Sequence, residues 1–188
     1  FGQTSEWNHT RGLDWRLLQF PVHHTLQTMV KELNALYRRE PALHEVDDEH
    51  GGFEWIDILD SESSVIAFAR FARNRQDTII FACNFTPVPR QGYRLGVPQS
   101  GLYREILNTD SEIFGGSNLG NAGALMADNT PSHGRPASLT VTLPPQDAGT
   151  SHINTATATA TDNEGATATA AHRAAGPVTS EPPAVGGA

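Results

Sequence analysis

The sequence predicts a mainly β protein in which an antiparallel β-sandwich follows one amphipathic helix and precedes a disordered Ala/Thr-rich segment. Three observations lead to this fold class. Residues 53–143 contain six short apolar or alternating runs, most of them separated by turn residues, which is typical of an antiparallel sandwich or barrel. Apolar residues recur at helical spacing between Pro21 and Pro41. Large apolar side chains then become rare beyond Pro145.

The helix is predicted from one apolar stripe. Its positions follow the i, i+3, i+4, i+7 spacing of a helical face and are Leu26, Met29, Val30, Leu33, Leu36 and Tyr37. Pro41 disfavours helical geometry at the residue before it, so the helix is expected to end near Arg39. An apolar stripe of this size must be buried. We favour packing of the helix in a hydrophobic core over binding in the groove of a partner protein.

Strands are expected at residues 53–58, 65–70, 78–84, 93–97, 102–107 and 139–143. The single cysteine, Cys83, lies inside one of these apolar runs and is expected to be a small buried hydrophobe. Residues 108–137 contain no comparable run. Their glycine-rich stretch, 115–123, is interpreted as an irregular loop and not as a phosphate cradle, because no Gly-Lys-Ser/Thr follows it.

Residues 146–188 are predicted to be disordered. They contain no Leu, Met, Phe, Tyr or Trp, and such a segment buries too little apolar area to offset about 1–2 kcal/mol per residue of backbone ordering. The Thr-Ala alternation at residues 155–161 does resemble a strand, since Thr is β-branched. Alanine, however, offers little surface to a sheet.

Composition excludes several functional classes. The 188 residues carry 13 Lys plus Arg against 21 Asp plus Glu, a net charge of -8, so nucleic acid is an unexpected partner. No run approaches the roughly 18 residues of a membrane-spanning helix. One cysteine and the absence of a signal-peptide pattern predict a cytoplasmic protein. The chain begins at Phe1 without methionine, which suggests a piece of a longer protein.

The first fifteen residues hold the strongest candidates for chemistry. Indole rings pack on sugar rings, and amides and carboxylates bind sugar hydroxyls; the candidates for such a site are Gln3, Glu6, Trp7, Asn8, Asp14 and Trp15. The alternative is structural: Trp15 begins a short helical turn capped by Asp14, and Trp7 is a half-buried anchor. Glu6 and Asp14 could also form a catalytic pair, but their spacing on a loop does not fix the separation that glycosidic chemistry needs.

Other signals are weaker. His9, His23 and His24 lack the spacing of a metal site, and no metal is expected. Trp55, beside Phe53, could stack on a sugar or belong to the core. Two glycosylation sequons, at Asn8 and Asn84, together with the Ala/Thr segment leave open an extracellular sandwich with a glycosylated stalk.

Residues 1–145 resemble the C-terminal portion of bacterial 1,4-alpha-glucan (glycogen) branching enzymes, of the alpha-amylase superfamily. The segments that carry the resemblance are Phe1-Gly2-Gln3, Glu6-Trp7-Asn8-His9, Leu13-Asp14-Trp15, Leu33-Asn34-Ala35-Leu36-Tyr37-Arg38, Pro41-Ala42-Leu43, Gly52-Phe53-Glu54-Trp55, Asn84-Phe85-Thr86-Pro87-Val88-Pro89-Arg90, Tyr93-Arg94, Arg104-Glu105-Ile106-Leu107-Asn108-Thr109-Asp110, Gly115-Gly116-Ser117, His133-Gly134-Arg135 and Ser138-Leu139 through to Pro145. The run at residues 84–90 is long and unusual in composition.

The resemblance implies a division of the chain. Residues 1–43 would be the last loop and closing helix of a truncated (β/α)8 catalytic barrel, residues 44–145 an all-β C-terminal domain, and residues 146–188 a low-complexity tail. The catalytic carboxylates of the family lie upstream, so none is assigned here and the fragment is expected to be inactive alone.

The same resemblance supplies the expected partners. Gln3, Glu6, Trp7, Asn8, Asp14 and Trp15 would help line the cleft for an α-glucan such as glycogen. The missing N-terminal barrel would be the protein partner, and no cofactor is implied. The alternative is a non-catalytic glucan-binding or interdomain-packing β-sandwich.

The sequence departs from the family at two places. Thr4-Ser5 replace an aromatic and a basic residue, which changes the expected contacts of this loop. After Pro145 the family continues with a short apolar strand, whereas this chain continues with Gln146-Asp147-Ala148-Gly149. Its neighbour is therefore expected to present an unpaired edge. A changed reading frame or a lineage-specific extension would explain the tail.

Overall fold

A computed structural model describes residues 1–146 and the backbone of residues 155–161. A 3-10 helix, Trp15–Gln19, precedes helix α1 (Pro21–Arg39), and the strands are β1 (Phe53–Asp57), β2 (Val65–Phe71), β3 (Thr78–Asn84), β4 (Arg90–Val97), β5 (Gly101–Asn108), β6 (Ala124–Ala127), β7 (Ala137–Leu143) and β8 (Thr155–Thr161). The larger sheet has the order β1-β2-β3-β8-β5-β6, and β4 pairs with β7 in a second sheet. Every strand pairing is antiparallel. The predicted mainly β, antiparallel class is confirmed.

The main core lies between the two sheets. Buried Ala67, Ile80 and Tyr103 of the larger sheet form one apolar cluster with Leu95 and Leu139 of the smaller sheet. Along β2 every second residue is buried, because successive side chains of a strand point to opposite faces of the sheet. Interdigitation of the inward residues from the two sheets is the packing of a β-sandwich.

Helix α1 ends at Arg39, as predicted, and packs on the larger sheet. Met29 and Leu36 join Ile79 of β3, Leu107 of β5 and Phe114 in a second apolar cluster. Strand β3 is therefore covered on both faces, which explains its almost continuous apolar sequence. Within the described part of the chain, no helix combines the length and the apolar character that crossing a membrane requires.

Only part of the apolar stripe of α1 is used. Met29 and Leu36 are buried, but Val30, Leu33 and Tyr37 remain 45%, 37% and 49% exposed. The expectation that the helix belongs to a core is therefore met by one side of the stripe. The other side stays partly exposed, although the Tyr37 ring contacts that of His44 with the ring centroids 5.5 Å apart.

The stretch in which no strand was predicted, residues 108–137, contains strand β6. This strand has four residues, of which only Ala127 is buried, and it pairs with Gly101–Arg104 of β5. Residues 110–119 of the stretch are organised around the buried carboxylate of Asp110. Its oxygens accept hydrogen bonds from the Ser117 backbone N–H (3.0 Å), the Ser117 hydroxyl (2.6 Å) and the Leu119 N–H (2.9 Å).

Gly116 allows this loop to close. A Cβ atom at position 116 would lie only 2.3 Å from the backbone oxygen of Asp110. The position therefore requires a residue without a side chain. The N–H groups of this glycine-rich stretch thus bind a carboxylate of the chain itself, and the interpretation of the stretch as a loop that holds no phosphate is kept.

The expected disorder of residues 146–188 is not what the structure shows at residues 155–161. These residues form β8, between β3 and β5, so the expectation of an unpaired edge beside the sandwich is wrong. The sequence argument counted only apolar side-chain area, whereas a strand between two others also gains main-chain hydrogen bonds on both edges. The remainder of the predicted tail, residues 147–154 and 162–188, lies outside the described residues.

Candidate functional site

The loop at the start of the chain encloses an open cavity of about 800 Å³. Its lining contains five of the six residues that the sequence singled out, and consists of Gln3, Ser5, Glu6, Trp7, Asn8, His9, Arg11, Gly12, Leu13 and Asp14. The sixth, Trp15, is not part of the lining. Its ring stacks on Phe1 with the ring centroids 5.4 Å apart.

Hydrogen bonds within the loop set the shape of this cavity. The side-chain oxygen of Gln3 accepts from the backbone N–H of Asp14 at 3.4 Å, which joins the two ends of the loop. The Asn8 side-chain oxygen accepts from the Thr10 N–H at 2.9 Å and from the Thr10 hydroxyl at 2.8 Å. Gln3 and Asn8 therefore hold the loop in shape as well as facing the cavity.

The indole of Trp7 stands out into solvent. It is 81% exposed, and its nearest aromatic neighbour is the His9 ring, with the ring centroids 6.2 Å apart. The alternative interpretation of Trp7 as a half-buried anchor is therefore wrong. An exposed indole beside amides and carboxylates can pack on a sugar ring while the polar groups bind its hydroxyls.

Asp14 is paired with Arg16 at 3.1 Å. It makes no side-chain cap hydrogen bond to the 3-10 helix that follows it, so the expected capping role is wrong. The hydrogen bond from Arg16 is the main reason that the pKa of Asp14 lies below its ordinary value. A general acid in glycosidic chemistry needs a raised pKa. Asp14 has the opposite shift and is suited to accepting hydrogen bonds.

A second aromatic surface lies on the larger sheet. We call Phe53, Trp55, Phe68 and Phe81 the aromatic strip. Phe53 stacks on Phe68 at 5.3 Å, Phe68 stacks on Phe81 at 4.7 Å, and Trp55 meets Phe68 edge-on at 5.9 Å. Trp55 is 51% exposed. The alternative that Trp55 belongs to the core is therefore wrong.

The sequence analysis missed two members of the strip, Phe68 and Phe81. Their apolar neighbours Ala67, Ala69, Ile80 and Ala82 are buried in the main core, so period-2 alternation places the phenylalanines on the opposite face. The strand register sets Trp55 opposite Phe68, and Phe68 opposite Phe81. Correct pairing of the three predicted strands would have revealed the strip.

Two arginines fix the backbone beneath Trp55. Arg135 contacts the Glu54 carboxylate at 2.7 Å and donates to the backbone oxygen of Trp55 at 3.4 Å, and Arg75 binds the same carboxylate. Burial raises the pKa of Glu54, but the hydrogen bonds from Arg135 and Arg75 lower it by more, so that the net shift is downward. Glu54 therefore stays charged and positions the strand.

The histidines do not assemble into a site. The Nδ1 atom of His23 lies 2.8 Å from the backbone oxygen of Phe1, a contact that ties the start of the chain to α1. Across residues 1–146, no three His, Cys, Asp or Glu side chains come together as potential metal ligands.

Of the two sequons, that at Asn84 is buried. Its side chain has no solvent exposure and its amide nitrogen donates to the backbone oxygens of Val88 (2.8 Å) and Pro144 (2.9 Å). A folded chain cannot carry a glycan at this nitrogen. The extracellular alternative therefore loses one of the two sequons on which it rested.

Comparisons with known proteins match both parts of the chain. Residues 55–154 match the family described as the alpha amylase C-terminal all-beta domain. The 1,4-alpha-glucan branching enzyme GlgB of Aquifex aeolicus is 53% identical over 145 residues, which are 77% of this chain and 23% of that protein. Those of Pseudomonas putida and Cereibacter sphaeroides are 50% and 52% identical over the same length, or 20% of each protein. The chain thus spans about a fifth of the length of these relatives, and the predicted resemblance is confirmed.

Proposed function

We propose, from the premise that this chain belongs to the family of alpha amylase C-terminal all-beta domains, that it is the closing portion of a glycogen branching enzyme and supplies glucan contacts to it. The observation that carries the proposal is the 50–53% identity to branching enzymes over 145 residues. The likeness spans 145 residues and therefore extends beyond the 100 residues of the family match at 55–154.

The whole enzyme would transfer a segment of an α-1,4 glucan. A carboxylate attacks the anomeric carbon while a second carboxyl group protonates the leaving 4-oxygen. A 6-hydroxyl of the acceptor then gives its proton to that second group and displaces the carboxylate, which forms an α-1,6 branch. This retaining route needs two carboxyl groups about 5–5.5 Å apart. The chain spans about a fifth of the length of its branching-enzyme relatives, and the family resemblance implies that the catalytic carboxylates lie upstream of it. We therefore assign the catalytic pair to the rest of the enzyme and expect this chain to be inactive alone.

The first proposed glucan contact is the cavity of the initial loop. Trp7 offers an exposed ring face, and Gln3, Glu6, Asn8 and Asp14 line the same cavity. In a barrel enzyme, functional loops gather at the C-terminal face of the strands. This loop directly precedes α1, the proposed closing helix, and would form one edge of the cleft. Trp15 would support it by holding Phe1.

The second proposed contact is the aromatic strip. Trp55 presents a half-exposed indole beside the stacked phenylalanines, and its backbone is fixed by Arg135. A pre-positioned ring face binds a sugar without ordering a mobile side chain. This observation favours the alternative function, a non-catalytic glucan-binding module, and the two functions are compatible within one enzyme.

The exposed side of α1 is proposed to pack on the missing barrel. Val22, Val30, Leu33 and Tyr37 are each more than a third exposed along this helix, and exposed apolar groups of this kind mark interaction surfaces. Protein that precedes Phe1 in a longer chain would cover them. No cofactor and no nucleic acid enter this proposal, and a cytoplasmic location is part of it.

Native affinity electrophoresis in gels with and without glycogen tests the glucan contacts. The unchanged chain should be retarded by glycogen, and Trp7→Ala and Trp55→Ala should each reduce the retardation. Tyr37→Ala is the matched control, because it removes an exposed aromatic ring from the surface assigned to the barrel. Equal retardation of all four proteins, or none by glycogen, would contradict the proposed contacts.

A further inference from the structure

Strand β8 occupies a slot between two strands that do not pair with each other. Residues 79–84 of β3 face residues 155–160 of β8 in continuous register. On the other side, Tyr103, Arg104, Glu105, Leu107 and Asn108 of β5 face residues of the same segment. The order β3-β8-β5 therefore makes this segment the only bridge between the two halves of the larger sheet, within the residues that the structure describes.

Both walls of the slot are held by contacts that do not involve β8. Strand β3 pairs with β2 along its other edge, and its Ile80 and Ala82 are buried in the main core. Strand β5 pairs with β6, and its buried Tyr103 belongs to the same core. The two edges thus present main-chain donors and acceptors at a spacing set by the rest of the sandwich.

The occupant has almost no apolar bulk. Residues 155–161 read Thr-Ala-Thr-Ala-Thr-Ala-Thr. They have no large side chains that could contribute to recognition. What they offer is an extended backbone, favoured by the β-branched threonines, that can form hydrogen bonds on both edges. Such strand addition draws its affinity from the main chain and is tolerant of sequence.

The register of the occupant is nevertheless defined. The pairing of β5 with β8 skips Ile106, which marks a β-bulge. A bulge pins the register of neighbouring strands. On the other edge Cys83 is the direct partner of Ala156, and Ala82 that of Thr157.

We propose that the slot between β3 and β5 is a recognition site for an extended peptide segment, read through its backbone, and that residues 155–161 of this chain are its intramolecular ligand. The segment closes the sandwich as an inserted strand with no need for an apolar sequence. It follows that the same seven residues, offered as a separate peptide, occupy the slot when the chain's own segment is prevented from doing so.

The lone cysteine gives a direct test of the register in the full chain. Directly opposed antiparallel residues lie about 4.5–5.5 Å apart at Cα, within the range that a disulfide spans. In Ala156→Cys, oxidation by diamide should join Cys83 and position 156 within one molecule, with loss of two hydrogens by intact mass. Thr157→Cys is the control, because neighbouring residues on a strand face opposite sides of the sheet.

The two variants give clear alternatives. An intramolecular disulfide in Ala156→Cys and none in Thr157→Cys is the expected result. Equal oxidation of both variants, or of neither, would overturn the register and with it the proposal. A disulfide-linked dimer as the main product would show that a second copy supplies the segment, and would overturn the intramolecular assignment.

A peptide titration tests recognition itself. Thr157→Pro together with Thr159→Pro should vacate the slot, because proline removes main-chain donors and is excluded from central strands. A fluorescein-labelled Thr-Ala-Thr-Ala-Thr-Ala-Thr peptide should then bind this variant at least about tenfold more tightly than the unchanged chain, as measured by fluorescence anisotropy. The same peptide with proline at its third and fifth positions is the control. Equal binding of both peptides, or binding no tighter than to the unchanged chain, would overturn the proposal.

Discussion

Asn84 shows how one buried amide can join distant parts of the sandwich. Its nitrogen donates to the backbone oxygens of Val88 and Pro144, and its oxygen accepts from the N–H and the hydroxyl of Thr86 at 3.0 and 2.8 Å. The turn after β3 and the end of β7 are therefore fixed by the same side chain. This arrangement gives a structural reason for the unusual run at residues 84–90.

Asn84→Ala should lower the free energy of unfolding by about 2–3 kcal/mol, because it leaves buried backbone groups without partners. Urea denaturation followed by tryptophan fluorescence measures the change. Asn34→Ala is the matched control: this residue is exposed on α1, where alanine is the better helix former, and the change should stay within about 0.5 kcal/mol. Equal losses in the two variants would refute the role of Asn84.

The unusual composition of residues 84–90 was visible in the sequence, but the structural role of Asn84 was not. Asn84 and Pro144 are sixty residues apart along the chain, and only the pairing of strands brings them together. The same holds for Asp110, whose partners Ser117 and Leu119 could not be assigned because a loop without period gives no register. Local patterns predict elements, whereas hydrogen bonds across loops depend on the complete fold.

Asp60 links stability to pH. The backbone N–H of Ser63 donates to its carboxylate at 2.9 Å and is the main cause of a pKa below the ordinary value of 3.8; the Tyr93 hydroxyl also contacts it, at 3.1 Å. A lowered pKa in the folded state stabilises the fold above the unfolded pKa, and this contribution is lost as pH falls through the folded pKa.

Asp60→Asn should therefore be less stable than the unchanged chain at pH 6, with the difference shrinking as the pH falls below 3.8. Urea midpoints at pH 6, 4 and 3 would measure this convergence. Asp48→Asn, at an exposed position, should run parallel to the unchanged chain. If the stability difference between Asp60→Asn and the unchanged chain grew toward pH 3, the proposed role of the Asp60 carboxylate would be contradicted.

Helix α1 has two apolar sides with different partners. Leu36 is 4% exposed and packs in the cluster with β3 and β5, while Leu33 is 37% exposed. The helical period in the sequence predicted the stripe correctly. The period could not show which residues of the stripe contact the sandwich and which stay exposed. Periodicity indicates that a helix face is buried, but it does not identify the residues that cover it.

Leu36→Ala should destabilise this chain by about 2–4 kcal/mol through the cavity it leaves. Leu33→Ala should cost less than about 1 kcal/mol here, since its side chain is already partly solvated. Thermal unfolding of both variants measures the contrast. Equal destabilisation would mean that both sides of α1 are packed within this chain, and would remove the reason for assigning one of them to a barrel.

The strands divide in a similar way. Six were predicted because their apolar residues meet a core, and the structure confirms them. β6 was missed because it is short, with four residues of which one is buried. β8 was set aside because its Thr and Ala residues offer little apolar surface. Each of the two strands pairs with one edge of β5. Their positions therefore depend on another strand and cannot be read from their own residues.

In the proposed function, the whole chain is a sandwich with surfaces directed at two kinds of partner. The initial loop and the aromatic strip expose indoles suited to a glucan, and the outer side of α1 exposes aliphatic groups suited to protein. The sequence predicted five of the residues that line the loop cavity, largely through family resemblance. The residue types alone indicated contacts to a sugar. That these contacts lie on two separate surfaces, the initial loop and the aromatic strip, could be seen only in the folded structure.

Formation of α-1,6 linkages on amylose, counted by proton NMR of the anomeric signals, tests the proposed function most directly. This chain alone should form none. A hybrid of the Aquifex aeolicus branching enzyme, in which residues 1–145 of this chain replace the 53% identical stretch, should form branches. Branch formation by the chain alone, or an inactive hybrid that is nevertheless folded, would contradict the assignment of this chain as the non-catalytic closing portion of a branching enzyme.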